Sequence, residues 1–368
     1  MTTNLNLTDD LNHLRDQIDT IDSNILNLIN QRLEIGKKVG KIKKDSGSQI
    51  LDRLRERNLI EKLLKDNPGP ADEALLKYIF NVIITATRDI QKPKTISFLG
   101  PEASYTHIAA LAHFKHSGKF VEQPNLYEIF REVEKKESHF GVLPVENSIE
   151  GAVNHTLDLF AKFDVNICAE HYAAVSHDLL SITGDPKDIQ KIYSHPQAIA
   201  QCRTWIKKKF AHTDILETSS TSKAALLASE NKTIAAIASK QAAHIYDLQI
   251  VESKIEDYSS NITRFLVIGK NMPEQTGNDR TSIMFATSHT PGALFKALEP
   301  VDSAGLNMLM LESRPTRDQN WGYYFFLDIE GHKKDKIVHD TIEDIKKYSL
   351  SLKILGSYPV FAGVENEA

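Results

Sequence analysis

Lys92-Pro93-Lys94-Thr95-Ile96-Ser97-Phe98-Leu99-Gly100-Pro101-Glu102-Ala103-Ser104-Tyr105-Thr106-His107 is where the chain changes character. Thr95–Leu99 is a short β-prone run, Gly100-Pro101 marks a turn, and a helix is expected from about Ser104. A helix start of this kind presents free N–H groups and can receive an anion. Upstream, residues 5–92 read as helix and are poor in Gly and Pro outside Asn67-Pro68-Gly69-Pro70. Downstream, short β-like runs at 95–99, 140–145 and 164–169 alternate with helical stretches, the α/β signature. A second break falls at Asn271-Met272-Pro273 and Gly277-Asn278-Asp279. The chain therefore divides into an all-helical segment, 1–92, an α/β segment, 94–271, and a last segment, 280–368.

Composition narrows the possible functions. The 368 residues carry a net charge of −5, which argues against a generally basic nucleic-acid binder. No apolar run approaches the ~20 residues of a membrane span, and MTTNLNLTDD lacks the basic and apolar parts of a secretory signal. Two cysteines, Cys168 and Cys202, exclude a disulfide scaffold and suit a reducing cytoplasm. His113 and His116 form an H-x-x-H without a suitably spaced acidic or cysteine partner, so they read as surface residues. No nucleotide-binding glycine motif occurs. No metal and no cofactor is expected.

The charge is uneven. Residues 32–57 hold nine basic and four acidic side chains in an otherwise acidic protein. Such a patch attracts anions, although on charge alone the readier reading is a solvated helix face. Apolar residues at Leu7, Leu11, Leu14, Ile18, Ile21, Ile25 and Leu28 form a heptad-like seam that resumes at Ile35, Val39 and Ile42. Arg32 fills the gap. It either packs its stem and lets its head reach water, or it marks a buried anion site, because an unpaired cation on a seam is costly. Arg15 and Arg32 are about 25 Å apart along one helix at ~1.5 Å per residue. One small anion can meet both only if the helix pairs antiparallel with a second copy. Further on, Asp52, Arg55 and Glu56 share a helix face, and Thr87 and Gln91 sit at i, i+4.

Together, Leu14-Arg15, Gln31-Arg32, Val39-Gly40-Lys41-Ile42-Lys43, Asp52-Arg53-Leu54-Arg55-Glu56, Thr87 and Gln91 resemble the all-helical chorismate mutases over essentially all of 5–92. The resemblance implies that Arg15 of a second copy, Arg32 and Arg55 hold the substrate carboxylates. Lys43 and Gln91 would donate to the ether oxygen, and Glu56 with Asp52 would take the ring hydroxyl. Thr87 stands where the family often has Ser. The rearrangement of chorismate to prephenate is unimolecular and pericyclic. It needs a compact conformer and aimed donors rather than a nucleophile.

In the middle segment, polar clusters end successive strands: Glu146-Asn147-Ser148, Ser194-His195-Pro196-Gln197, Ser220-Thr221-Ser222 and Asn261-Ile262-Thr263-Arg264. Converging clusters of this kind build the cleft of a two-lobed α/β protein, and Ser220–Ser222 also reads as an ordinary helix N-cap. The strings FLGPEASYTH (98–107), LPVENSIEGAVNHTLDLF (143–160), YSHPQ (193–197), STSKAA (220–225) and NITRF (261–265) resemble the prephenate dehydratases over about 94–270. Many members have Gly where Ala103 stands. The resemblance implies a periplasmic-binding-protein-like fold with Thr263 as the main catalytic hydroxyl and Arg264 holding the site or a carboxylate. Asn147, Ser148, His195, Gln197, Ser220 and Thr221 would line the cleft.

The last segment predicts β-α-β-β-α-β, the ferredoxin-like plan, with Thr290 as N-cap and Pro291 at the first helical position. Gly292-Ala293-Leu294 and Glu312-Ser313-Arg314-Pro315 resemble the phenylalanine-binding motifs of ACT domains attached to prephenate dehydratases. The resemblance as a whole implies a cytoplasmic, dimeric or larger homo-oligomeric enzyme of phenylalanine biosynthesis. Its substrates would be chorismate and prephenate and its inhibitor L-phenylalanine. Three rivals stand beside it: a monofunctional dehydratase with a structural helical module, an arogenate dehydratase, and a non-catalytic amino-acid sensor.

Overall fold

A computed structural model describes residues 3–46, 53–91, 93–115, 118–149, 151–258, 261–315, 322–361 and 363–365. The chain divides at Lys94 into two compact units. The first contains α1 (Thr3–Asp45), α2 (Arg53–Lys65) and α3 (Glu73–Gln91). Helix α1 is long because its apolar series is uninterrupted by Pro, and its 43 residues extend about 65 Å at ~1.5 Å per residue. The turn into α3 is held locally: Asn67 accepts from Gly69 N–H at 3.2 Å and donates to the Ala71 carbonyl at 2.8 Å.

Gly36 and Gly40 let α1 approach α3. A Cβ on Gly36 would fall 2.4 Å from Thr87 Cγ2, and one on Gly40 would fall 2.8 Å from Gln91 Cβ. The rest of the α1 seam has no such cover within one chain. Leu11, Leu14, Ile18, Ile21, Ile25 and Leu28 all remain about half exposed.

The second unit is built on three sheets among the described residues. The first runs in the order Val364–Glu365, Asn166–Ala174, Ile262–Gly269, Phe140–Asn147, Thr95–Leu99, Lys119–Gln123, with Gly151–Ala152 paired to one side. The second runs Gln249–Glu252, Asp178–Ser181, Ile234–Ala238, Lys191–Ser194, Asp214–Glu217. The chain passes between these two sheets twice, through Val175–His177 and again between the strands Gln249–Glu252 and Ile262–Gly269. Two lobes joined by two crossings leave a cleft where the crossings meet.

The third sheet, Met308–Pro315, Tyr323–Glu330, Asp279–Ala286, Ser351–Pro359, is antiparallel, and its elements follow one another β-α-β-β-α-β. It does not stand apart from the first sheet. Leu143, Leu157, Phe160, Ile167 and Leu266 share one buried cluster with Met284, Phe326, Leu355 and Tyr358. Gly356 makes this contact possible, since a Cβ there would lie 2.3 Å from the Ile167 carbonyl. One expected detail differs: the helix of this segment begins at Ala293, not after a Thr290 cap. Gly292 is its N-cap residue at φ 76°, a left-handed conformation that interrupts the helical run before it reaches Pro291.

Candidate functional sites

In the helical unit, Arg32 does not lie on the exposed part of the seam. It lies one turn from Gly36 and two from Gly40, so it faces α3. Its Nη1 donates to the Ile83 carbonyl at 3.3 Å and to Thr87 Oγ1, and Thr87 donates to Ile83 at 2.8 Å. Partial burial pulls the Arg32 pKa down from its ordinary value, yet a guanidinium stays charged at any working pH. Thus Arg32, Thr87 and Gln91 come together along the α1–α3 contact. Glu56 forms an ion pair with Arg88 at 3.6 Å. Arg15 is exposed on the same helix as Arg32, far from that contact. Lys43 is half-buried and Arg55 exposed; Asp52 lies outside the described residues.

In the second unit, a cleft of about 610 Å³ is lined by Asn147, His195, Gln197, Ser220, Thr221 and Thr263, together with His177, Gln201, Asn261 and Phe265. Three helices begin at its wall. Ser104 accepts from His107 N–H at 3.2 Å, His195 Nδ1 from Gln197 N–H at 3.3 Å, and Ser220 from Lys223 N–H at 3.0 Å. Ser220 is therefore the N-cap its sequence suggested as well as a wall residue. Just before the first helix, Ala103 holds φ 62°, a conformation that glycine adopts without the Cβ penalty.

The hydrogen bonds behind Thr263 have a fixed direction. Ile149 N–H can only donate, and it reaches Asn147 Oδ1 at 2.9 Å. The Asn147 amide must then turn its two hydrogens toward Asn261 Oδ1, at 2.6 Å, and Thr263 Oγ1, at 2.9 Å. Thr263 accepts from behind, which leaves its own proton to be aimed into the cleft. Register supports the arrangement, because Thr263 is paired directly with Asn147 across the sheet.

Two expected cleft residues point elsewhere. The Ser148 hydroxyl accepts from Ile262 N–H at 2.9 Å, and Ser148 N–H donates to the Ile262 carbonyl at 2.8 Å, so Ser148 clamps two strands. Arg264 is one residue from Thr263, and strand alternation sends it to the opposite face of the sheet. It is 4% exposed, and it bonds Glu170 at 2.9 Å, Asp328 at 2.8 Å and Tyr358 Oη at 3.0 Å. Arg280 adds a second cation, 2.9 Å from Glu170 and 3.6 Å from Asp328. Two arginines and two buried carboxylates face one another across the joint between the first and third sheets, and the half-exposed Glu146 lies 3.8 Å from Arg264.

The motifs of the last segment also separate within one chain. Gly292, Ala293 and Leu294 line a cavity of about 440 Å³ with Tyr323 and Phe325. Glu312, Ser313, Arg314 and Pro315 lie on the edge strand Met308–Pro315, outside that lining. Arg314 instead grips Asp158 of the first lobe through two bonds of 3.0 and 3.1 Å.

The sequence alone does not assign Tyr105, His177 and Gln201 to the cleft, and Asn261 reads there only as part of its strand-end cluster. Asn261 opens the NITRF string, and Gln201 sits one turn after Gln197, so both carried a usable signal. His177 carried none, because only the crossing between lobes brings it there. Among the described residues no cluster of His, Cys, Asp and Glu could hold a metal, and Cys168 and Cys202 are free thiols.

The chain thus pairs a helical module, in which a half-buried arginine faces a hydroxyl, with a two-lobed module that carries a hydroxyl in its cleft. Residues 14–92 match the chorismate mutase type II family model, and residues 96–273 match the prephenate dehydratase model. A bifunctional chorismate mutase/prephenate dehydratase from Aquifex aeolicus is 41% identical over 355 residues, covering 95% of this chain and 98% of that protein. Among solved structures, a prephenate dehydratase in complex with L-Phe from Arthrobacter aurescens is 30% identical with TM-score 0.67, over 72% of this chain and 90% of that one. A structure described as a novel type of quorum quenching acylase is 28% identical with the same TM-score, over 73% and 99%. The fold of the second unit is thus compatible with more than one chemistry, and the site has to decide. By similarity along nearly its whole length, this chain belongs to the bifunctional chorismate mutase/prephenate dehydratases.

Proposed function

We propose that the chain converts chorismate to prephenate in its helical unit and prephenate to phenylpyruvate in its cleft. In the first reaction the arginines hold a dianion in a compact conformer while Lys43 and Gln91 donate to the ether oxygen as negative charge builds there. Such preorganised donors act without moving during the reaction, and each is worth ~3–4 kcal/mol of barrier. The half-exposed α1 seam supports an antiparallel dimer in which Arg15 of one copy meets the Arg32 region of the other.

In the second reaction the C–CO₂ bond of prephenate breaks, and its electrons move into the ring. The ring hydroxyl leaves as the ring becomes aromatic. The Thr263 O–H donates to that departing oxygen and steadies its developing charge, as an oriented donor rather than a full proton source. The enforced direction of the Asn147–Thr263 hydrogen bond carries this reading. The helix starts at Ser104 and Ser220 supply N–H groups for the substrate carboxylates.

The last segment, 280–368, is read as an ACT domain of ferredoxin-like plan that senses L-phenylalanine. The cavity beside Gly292–Leu294 has the aromatic walls of Tyr323 and Phe325 for a benzyl side chain and a helix start for a carboxylate. Free cysteines suit a cytoplasmic location. The decisive experiment supplies chorismate and follows phenylpyruvate with and without L-phenylalanine. Formation of phenylpyruvate, suppressed by L-phenylalanine, is expected. Accumulation of prephenate alone would remove the second activity, and no turnover of chorismate would remove the first.

A further inference from the structure

We infer that His177 is a positioning residue of the dehydratase site, acting with Tyr105 to orient the Thr263 hydroxyl through Gln201, Asn261 and Asn147. The inference rests on the reading of Thr263 as the donor to the leaving hydroxyl, and it extends the directed hydrogen bonds already described.

Because Asn147 donates to Asn261 Oδ1, the Asn261 amide presents its Nδ2, which donates to Gln201 Oε1 at 3.2 Å. Gln201 Oε1 is thereby an acceptor, so His177 Nε2, 2.8 Å away, must bring a hydrogen. In the neutral ring Nδ1 is then a bare acceptor. It faces Tyr105 Oη at 3.0 Å, whose single proton is shared between Nδ1 and the Ser176 carbonyl, 2.5 Å away. Six side chains therefore connect Tyr105 to Thr263: His177 and Asn261 both donate to Gln201 Oε1, and Asn147 donates to both Asn261 and Thr263.

The location makes the series more than local satisfaction. His177 is 2% exposed and closes the first crossing between lobes, while Asn261 closes the second. Tyr105 starts a helix packed on the first sheet, and Gln201 ends a helix of the other lobe. One imidazole therefore ties both lobes to the amide that sets Thr263. Without it Gln201 loses its shorter hydrogen bond and Asn261 its fixed neighbour. Ile149 N–H still holds Asn147, so the loss is partial.

The test compares His177→Leu, His177→Gln, Tyr105→Phe and Thr263→Ala in the full chain, with prephenate as substrate. A glutamine can place an N–H where the ring Nε2–H stood. His177→Leu is expected to lower kcat ~10- to 100-fold with KM changed less than about twofold, the scale of a misplaced reacting group. His177→Gln should recover kcat to within about threefold of the parent, and Tyr105→Phe should fall between. Equal losses in the Leu and Gln variants, or unchanged kcat in His177→Leu, would overturn the positioning role. If His177→Leu does not fold, the Gln and Phe variants decide, since a parent-like Tyr105→Phe beside a strongly impaired His177→Gln contradicts the proposed series. Retained turnover in Thr263→Ala would instead remove the underlying reading of the hydroxyl.

Discussion

Thr263 and Arg264 are adjacent in sequence and serve different sides of one sheet. Thr263→Ala removes the donor without opening a large void, so dehydratase kcat should fall by ~100-fold or more with KM little changed. Steady-state kinetics on prephenate checks this, and an unchanged kcat excludes the role. His177 offers a pH test at the same scale. Burial lowers its pKa below the ordinary 6.5, outweighing the hydrogen bond to Gln201 and the charges of Glu256 and Asp178, which raise it. The folded chain then binds fewer protons than the unfolded chain just below that pH. Stability present above 6.5 is lost as pH falls toward the lowered folded value. Melting temperatures at about pH 7 and about pH 5 should differ less for His177→Gln than for the parent.

At the scale of elements, two contacts were hidden from periodicity. The heptad count placed Arg32 on a seam. The small residues at Gly36 and Gly40 decide that this part of α1 faces α3. In Gly40→Ala the new Cβ would meet Gln91 at Cβ, Cγ and Cα, so α3 must move and not merely a side chain. Overpacking costs ~1–3 kcal/mol and the gain in helix propensity returns at most ~1 kcal/mol. We expect a lower melting temperature and reduced mutase turnover, both measurable on the full chain; a more stable and fully active variant would contradict the packing. The second contact joins the first and third sheets. Asp328→Asn leaves Glu170 as the one buried carboxylate between Arg264 and Arg280, with the half-exposed Glu146 3.8 Å from Arg264. Breaking such a buried pair costs about 3–5 kcal/mol. The dehydratase should inactivate at lower temperature while mutase activity survives, which parallel activity assays after heating would show.

For the whole molecule, α1 carries a long row of exposed apolar side chains, from Leu11 to Ile42. Replacing Ile18 and Ile21 by Glu puts two charges on it. If a second copy covers that seam, the double variant should run as a smaller species in light scattering and lose mutase activity at least ~10-fold, with dehydratase turnover much less affected. An unchanged mass would rule out this face as the dimer contact. The third sheet is also tied to the first lobe through Arg264–Asp328 and Arg314–Asp158, and Arg264 lies on the strand that carries Thr263.

The sequence by itself determined the helical start, the α/β middle and several of the residues that line the cleft. Those features depend on local periodicity, capping and strings short enough to read. Resemblance to family motifs placed Arg264 and Ser148 in the cleft and Arg314 in an effector motif. Only the tertiary structure assigned them to a sheet joint, a strand clamp and an ion pair with Asp158. A strand turns alternate side chains to opposite faces, and what waits on each face is set by elements remote in sequence. The same reason explains His177, which acquires its partners only where two lobe crossings meet.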